Sequence, residues 1–334
     1  MSDAAVSEGT PEKRGTWVTY RPELKVLDCT VRDGGLMNNH QFDDELVRAV
    51  YDACVAAGLD YMELGYKASK RLYPPADFGP WKHCDEEVLR RVVGDNPTDL
   101  RLSVMADAER TDYEQDIIPC SESVLDMVRV ASYVHQVPAA ADMIVDAHEK
   151  GYEVACQLMA VSAVRDHELE EALKIIAETP IKALYLVDSW GVLYSEQIHS
   201  LTRQYLSYCE PAGKDVGIHT HNNQQLAYAN TIEAIILGAN RADASIYGMG
   251  RGAGNCPMEL LIGFLKNPKF RLRPIIECIQ HNVAPLRDEL GWGANIPYMI
   301  TGQLNEHPRA AMEFLAGTDD EDIVSFYDLM LDED

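Results

Sequence analysis

Positive charge is scarce in this chain: 29 Lys and Arg stand against 54 Asp and Glu, a formal net charge of -25 over 334 residues. Nucleic acid and anionic membrane surfaces, both bound through clustered Lys and Arg, are poor partners for such a composition. There is also no C-x-x-C pair among the eight cysteines (29, 54, 84, 120, 156, 209, 256 and 278). Several lie within apolar runs, which suits buried thiols in a reducing compartment, and a cytoplasmic protein is expected. No apolar run approaches the roughly 18 residues that span a bilayer, and the opening MSDAAVSEGTPEKRG has no signal-peptide core. Residues 1–23 read as a flexible leader. Much of the acidity falls at the other end, where TDDEDIVSFYDLMLDED holds eight acids and no base. Residues 317–334 are therefore expected to form an acidic, solvating or docking tail.

From Lys25 onward short apolar or β-branched runs alternate with longer segments of helical periodicity. The strands expected are 25–30, 60–66, 101–107, 124–131, 152–161, 182–189, 215–221 and 241–248. Most are separated by segments such as DDELVRAVYDACVAAG and SEQIHSLTRQYLSYC, with apolar residues at helical spacing. Only TDYEQDIIPCSES shows little helix pattern. Eight such units favour a (β/α)8 TIM barrel over residues 24–267, with a C-terminal helical extension over 268–316. An open dinucleotide-binding sheet would want G-x-G-x-x-G after the first strand, and RDGGLMN stands there instead. The insertion YKASKRLYPPADFGPWKHC after the second strand is expected over the barrel mouth.

The active site of such a barrel lies at the C-terminal ends of its strands. His219 and His221, two residues apart in VGIHTHNN, share one face of the seventh strand. Reading the first strand as extended through Thr30 puts Asp28, Thr30 and Arg32 on one face. Asp28, His219 and His221 then form an open set of metal ligands, with Mn²⁺ or Mg²⁺ favoured and Zn²⁺ or Co²⁺ as alternatives. Arg32 could stabilise a developing enolate oxygen or simply pair with Asp33 or Glu63. Asp33, Glu63 and Asp188 are taken to line the substrate cavity, the last two with a supporting role as the alternative. In GMGRGAGN, Gly252 and its neighbours would admit an anionic group to backbone N–H donors. Asn255 is open to two roles, a neutral metal ligand or a helix cap before Pro257.

LDCTVRDGG, GIHTHNN and GMGRGAGN, in this order, resemble the signature of the DRE-TIM metallolyases, the pyruvate carboxyltransferase-like TIM barrels. The resemblance covers roughly residues 25–267. Within that superfamily LYLVDSWGVLYSEQI and NRADASIYGMGRGAGNCPMELLI are most similar to the 4-hydroxy-2-oxovalerate aldolase branch. It implies Asp28, His219 and His221 as metal ligands, Arg32 as the group holding the enolate, and Tyr298 of GANIPYM as a site tyrosine or a packing one. The aldolase branch carries a histidine as catalytic base where this chain has Leu36, so His40 or a metal-bound water would have to take the proton.

The implied reaction is retro-aldol cleavage, or its reverse, of a 4-hydroxy-2-oxo acid into an aldehyde and a metal-bound pyruvate enolate. A Claisen-type synthase joining an acyl-CoA to a 2-oxo acid and a non-catalytic metal-binding scaffold are the alternatives. The partners expected are a small 2-oxo acid and an aldehyde, further copies of the chain as a homo-oligomer, and an aldehyde-processing enzyme of the kind that docks on such an extension.

Overall fold

The structure, a computed structural model, describes residues 21–317 and 322–332. Eight parallel strands close into one barrel in chain order: β1 Lys25–Asp28, β2 Tyr61–Tyr66, β3 Arg101–Asp107, β4 Met127–Ser132, β5 Glu153–Leu158, β6 Ala183–Asp188, β7 Asp215–Thr220 and β8 Arg241–Ala244. β8 returns to β1, with Asp28 opposite Ala244. The (β/α)8 barrel expected from the alternation is present. The segment after β3 has only the short turns Tyr113–Asp116 and Cys120–Glu122 before β4. This is where the helical pattern was weak.

Strand alternation sorts the side chains by parity. Leu27, Cys29, Tyr61, Met127, Ala155, Ala183, Tyr185 and Val187, all odd-numbered, make one interior cluster. Even-numbered neighbours such as Val26, Met62, Val128, Leu184 and Ile218 belong to the larger core between strands and helices. β2 breaks the rule through an irregularity between Glu63 and Tyr66, after which Tyr66 stands opposite Met105 and packs with it in an apolar group at the barrel mouth. All eight cysteines are free, seven of them buried.

The outer helices start from local signals. Asp43 caps Asp44–Ala57 by accepting from the Leu46 N–H at 2.7 Å, and Gly58 ends it in the left-handed region. Of the expected extension, Leu272–Cys278 packs against Asp44–Ala57 and continues the outer ring. Ile296–Gln303 and Arg309–Ala316 instead build a small separate core around Tyr298, Ile300 and Ala311.

The two chain ends differ from expectation. Ile323–Asp332 is a helix whose Phe326 and Met330 are buried in that same small core, so this part of the acidic segment is amphipathic and not a bare tail. Its acids flank apolar residues at helical spacing, a pattern that the charge count concealed. Residues 1–20 of the expected leader lie outside the described residues. Arg21 is anchored, donating to the carbonyls of Ile235 at 2.8 Å and Ala239 at 3.0 Å. Among the described residues no helix is long and apolar enough to cross a membrane.

Candidate metal centre

Strand β1 ends at Asp28, and Cys29 opens a helical turn, Thr30–Gly34. That change of period decides which carboxylate reaches the barrel axis. Cys29 points inward, and a residue four further along a helical turn lies on the same side. The residue at that spacing is Asp33. Its Oδ2 is 3.6 Å from His219 Nε2 and 3.7 Å from His221 Nε2, and the three ligand atoms lie within 4.8 Å of one another.

Asp28 is not part of this group. Its even position turns it outward, where it accepts from the Thr30 hydroxyl and, at 3.2 Å, from the Thr30 N–H. Burial pushes its carboxyl up to about 7, against the hydrogen bonds from Thr30. Asp188 is corrected for the same reason: it faces away from the interior and accepts from Val192 N–H at 2.9 Å and from Leu193 N–H, shaping the loop after β6. Its carboxyl is likewise raised to about 7 by burial.

The residues present suit a divalent cation. His219 Nδ1 lies 3.0 Å from Asp243 Oδ2. A carboxylate can only accept there, so Nδ1 carries the proton of the neutral ring and Nε2 keeps its lone pair toward Asp33. Asn255 Oδ1 is buried with no hydrogen-bond partner, while its Nδ2 donates to Met249 O at 3.3 Å. Asn255 is paired with His221 in an isolated β-bridge and, like Asp33, packs against Gly250, which sets it beside the cluster. The helix Met258–Leu265 begins after Pro257 without a side-chain cap, and Asn255 does not serve as one. Two imidazole nitrogens, a carboxylate oxygen and an unpaired amide oxygen are a donor set for a hard or borderline divalent ion.

Around this group runs a closed ring of charges. Arg32 donates to Asp33 at 2.6 Å and, through Nε, to Glu63 at 2.7 Å. Glu63 also accepts from Arg129 at 2.9 Å, and Arg129 pairs with Asp243, which holds His219. His219 returns to Asp33. Burial alone would drive the Asp33 carboxyl up, but Arg32, His221 and His219 hold it well below the usual range. Burial disfavours charge on His219, yet Asp243 and Asp33 outweigh it and raise that imidazole. His221 is lowered to about 3 by burial, with Asp33 opposing.

These shifts give a first prediction. Over the neutral range Asp33 and His221 are already deprotonated, and only His219 has a proton to lose. Metal must displace it, so apparent Mn²⁺ affinity should fall roughly tenfold per pH unit as the pH drops through the raised His219 value, and level off above it. Calorimetric titration at several pH values in buffers of different ionisation enthalpy checks both slope and proton count. A pH-independent affinity between pH 5.5 and 8 would contradict it.

The cluster opens into a cavity of about 80 Å³, walled by Leu36, Met105, Gln157, Met159, Val187 and Trp190 among others. Gly252, at φ +67, backs onto Tyr298, whose ring carbons would lie 3.5 Å from a Cβ there. Tyr298 belongs to the small C-terminal core and is not among the cavity's lining residues. The glycine loop turns on itself, with Asn255 N–H donating to Gly248 O and Arg251 N–H to Asp33 Oδ1. That donor orients a carboxylate of the protein itself, where the sequence suggested a substrate anion. His40 lies edge-on to Tyr66 in a neighbouring cavity, both ring nitrogens unpartnered.

Sequence reasoning missed Arg129 and Asp243. The signal was there: a charge at the centre of MVRVAS and another in RADA, each within a strand buried along its whole length. A buried strand charge requires an opposite one within reach, and in a barrel the interior brings β2, β4 and β8 together although none of them adjoins another.

A (β/α)8 barrel with a His–His–carboxylate group at the strand ends, backed by a fixed guanidinium, defines a class of metal-assisted enzymes. The chain belongs to the HMGL-like family, whose sequence model matches residues 23–283, and it is an enzyme of that family's lyase and aldolase class. It is 33% identical over 253 residues to oxaloacetate decarboxylase of Mycobacterium tuberculosis, covering 74% of this chain and 71% of that protein. It is 28% identical over 271 residues to 4-hydroxy-2-oxovalerate aldolase of Bacillus cereus (strain ATCC 10987 / NRS 248), covering 79% and 76%. The crystal structure of the N-terminal domain of a candidate aldolase from Bacteroides vulgatus superposes with a TM-score of 0.75 at 28% identity, over 90% of this chain and 99% of that one.

Proposed function

We propose that the chain is a divalent-metal-dependent carbon–carbon lyase that cleaves or forms a 4-hydroxy-2-oxo acid by way of a pyruvate enolate. The observation that supports this reading is the meeting of Arg32 with Asp33, His219 and His221 in one cavity. Asp33, His219 and His221 would hold the ion, with Asn255 Oδ1 as a further donor. An ion bound there supplies Lewis-acid polarisation of the 2-oxo group. Arg32, pinned between Glu63 and Asp33, places a fixed positive charge where the enolate oxygen develops. Met105, Met159, Val187 and Trp190 supply the apolar part of the cavity wall.

One observation favours a second reading at the same site, loss of CO₂ from a 2-oxo acid that carries a carboxylate on C3. Leu36 stands in the cavity wall where the aldolase resemblance implies a histidine base. Burial drives the His40 imidazole down to about 2, with Lys82 and Arg32 adding to the effect, which makes it a feeble proton acceptor. Decarboxylation reaches the same enolate with no hydroxyl proton to remove. The first relative named above is an oxaloacetate decarboxylase.

The test is deuterium exchange into the methyl group of pyruvate, followed by mass spectrometry with and without Mn²⁺, with racemic 4-hydroxy-2-oxovalerate and oxaloacetate as parallel substrates. Metal-dependent exchange and cleavage of the hydroxy acid, both lost in Asp33→Asn, are expected of the aldolase. Oxaloacetate turnover above the rate of Mn²⁺ alone, without hydroxy-acid cleavage, selects the decarboxylase. Neither exchange nor turnover from metal-loaded protein would defeat both readings.

A further inference from the structure

A second cavity, of about 290 Å³, adjoins the first and shares Leu36, Tyr66, Tyr133, Met159 and Arg251 with it. The insertion after β2 supplies part of its wall through Tyr73, Phe78 and Lys82, which places that segment at the barrel mouth as its position in the sequence implied. Lys82 is only 5% exposed. Its ammonium lies 4.2 Å from the Tyr66 ring centroid and 4.3 Å from that of Tyr73.

The other lysines of the insertion are satisfied. Lys67 donates to Cys84 O at 2.8 Å, and Lys70 pairs with Asp85 at 2.8 Å. Lys82, among the described residues, has neither a carboxylate at ion-pair distance nor a hydrogen-bond acceptor. Aromatic faces offset part of the cost of burying its charge but accept none of its three N–H bonds in a strong hydrogen bond. Arg110 and Arg251 line the same cavity, against the single carboxylate of Asp107. A pocket with excess positive charge in a chain of net charge -25 is not a sample of the surface average.

We propose that this second cavity receives the far end of the substrate, and that this end is an anion, a carboxylate or a phosphate, paired with Lys82. The proposal rests on the reading that the 2-oxo end is held at the Asp33 cluster, and it narrows the substrate class to 2-oxo acids with a second negative group. A substrate with an uncharged far end would leave Lys82 buried and unpaired, so the pocket discriminates against it.

The experiment is calorimetric titration of the full, metal-free chain with inorganic phosphate and, separately, with malonate. At least one anion should bind, and Lys82→Met should weaken it roughly 10- to 100-fold, the range for losing a charge-assisted hydrogen-bonded partner. Lys82→Arg should retain most of the affinity, and Lys82→Gln, which keeps a polar side chain, should reproduce the loss should the Met variant fail to fold. Tighter phosphate binding identifies a phosphorylated far end, and tighter malonate binding a carboxylate. Binding of neither anion, or equal binding by wild type and a folded Lys82→Met, overturns the proposal. The titration needs no turnover, so its failure is distinct from a failure of pyruvate exchange, which would instead defeat the reading of the Asp33 cluster.

Discussion

Asp33→Asn should lower divalent-metal affinity by more than about a hundredfold, while Asp28→Asn leaves it within about twofold of wild type. The two positions are five residues apart and both carboxylates are buried, so the contrast isolates geometry from burial. Asp33 faces the two imidazoles, and its amide replacement removes the one anionic donor of the group. Asp28 faces the helices and holds Thr30 through both oxygens, and an amide oxygen keeps one of the two contacts. A second readout separates them further. The Asp28 carboxyl is raised in the folded state, so its protonated form favours folding, and that contribution is lost as the pH rises through about 7. Asp28→Asn should therefore melt above wild type at pH 8 and close to it near pH 4, with the gap opening in between. Equal loss of metal by both variants, by equilibrium dialysis on folded protein, would restore Asp28 to the site.

Arg32→Lys should cut the turnover of metal-saturated enzyme by roughly 10² to 10³-fold, with a much smaller change in apparent substrate affinity. The guanidinium uses one edge on Glu63 and another on Asp33, and lysine cannot reproduce that fork although it keeps the charge. The loss should therefore fall on the step in which negative charge develops. Steady-state rates with saturating Mn²⁺, on whichever 2-oxo acid gives pyruvate, measure it. A lysine variant within about threefold of wild type would show that any cation there suffices. A variant that cannot be saturated with metal would show that Arg32 acts by holding Asp33.

The barrel was legible because its signal is repeated eight times: period-two apolar runs and period-3.6 segments reinforce one another along 240 residues of chain. His219 and His221 were legible for the same reason, since both lie inside or at the end of a regular strand where parity holds. Asp28 was misplaced because a polar residue at a strand end was taken to face inward, and Asp33 was missed because parity was carried past the end of the strand. Nothing in VLDCTVRDGG announces that extended backbone gives way to a helical turn at Cys29. Asp188 was misplaced by treating a polar strand end as inward-facing, although its even position follows the same alternation that sent Leu184 and Leu186 outward. Tyr66 shows the opposite limit: only the irregularity in β2 turns it inward, and an irregularity in strand pairing leaves no residue-type signature in YMELGY. The helix Ile323–Asp332 was hidden by composition, since an acid count is blind to the spacing of Phe326 and Met330.

The ring that links Arg32, Glu63, Arg129, Asp243, His219 and Asp33 also fixes a charge parity. Two guanidiniums face three carboxylates, which leaves one negative charge when His219 is neutral. The extra proton favoured on His219 in the metal-free state brings the ring to neutrality. A divalent ion in place of that proton overshoots by one positive charge. One singly charged carboxylate then restores the balance, and a second negative charge on the same molecule finds no counterpart within the ring. Electroneutrality among buried charges thus sorts ligands by the charge they carry at each end, before shape is consulted.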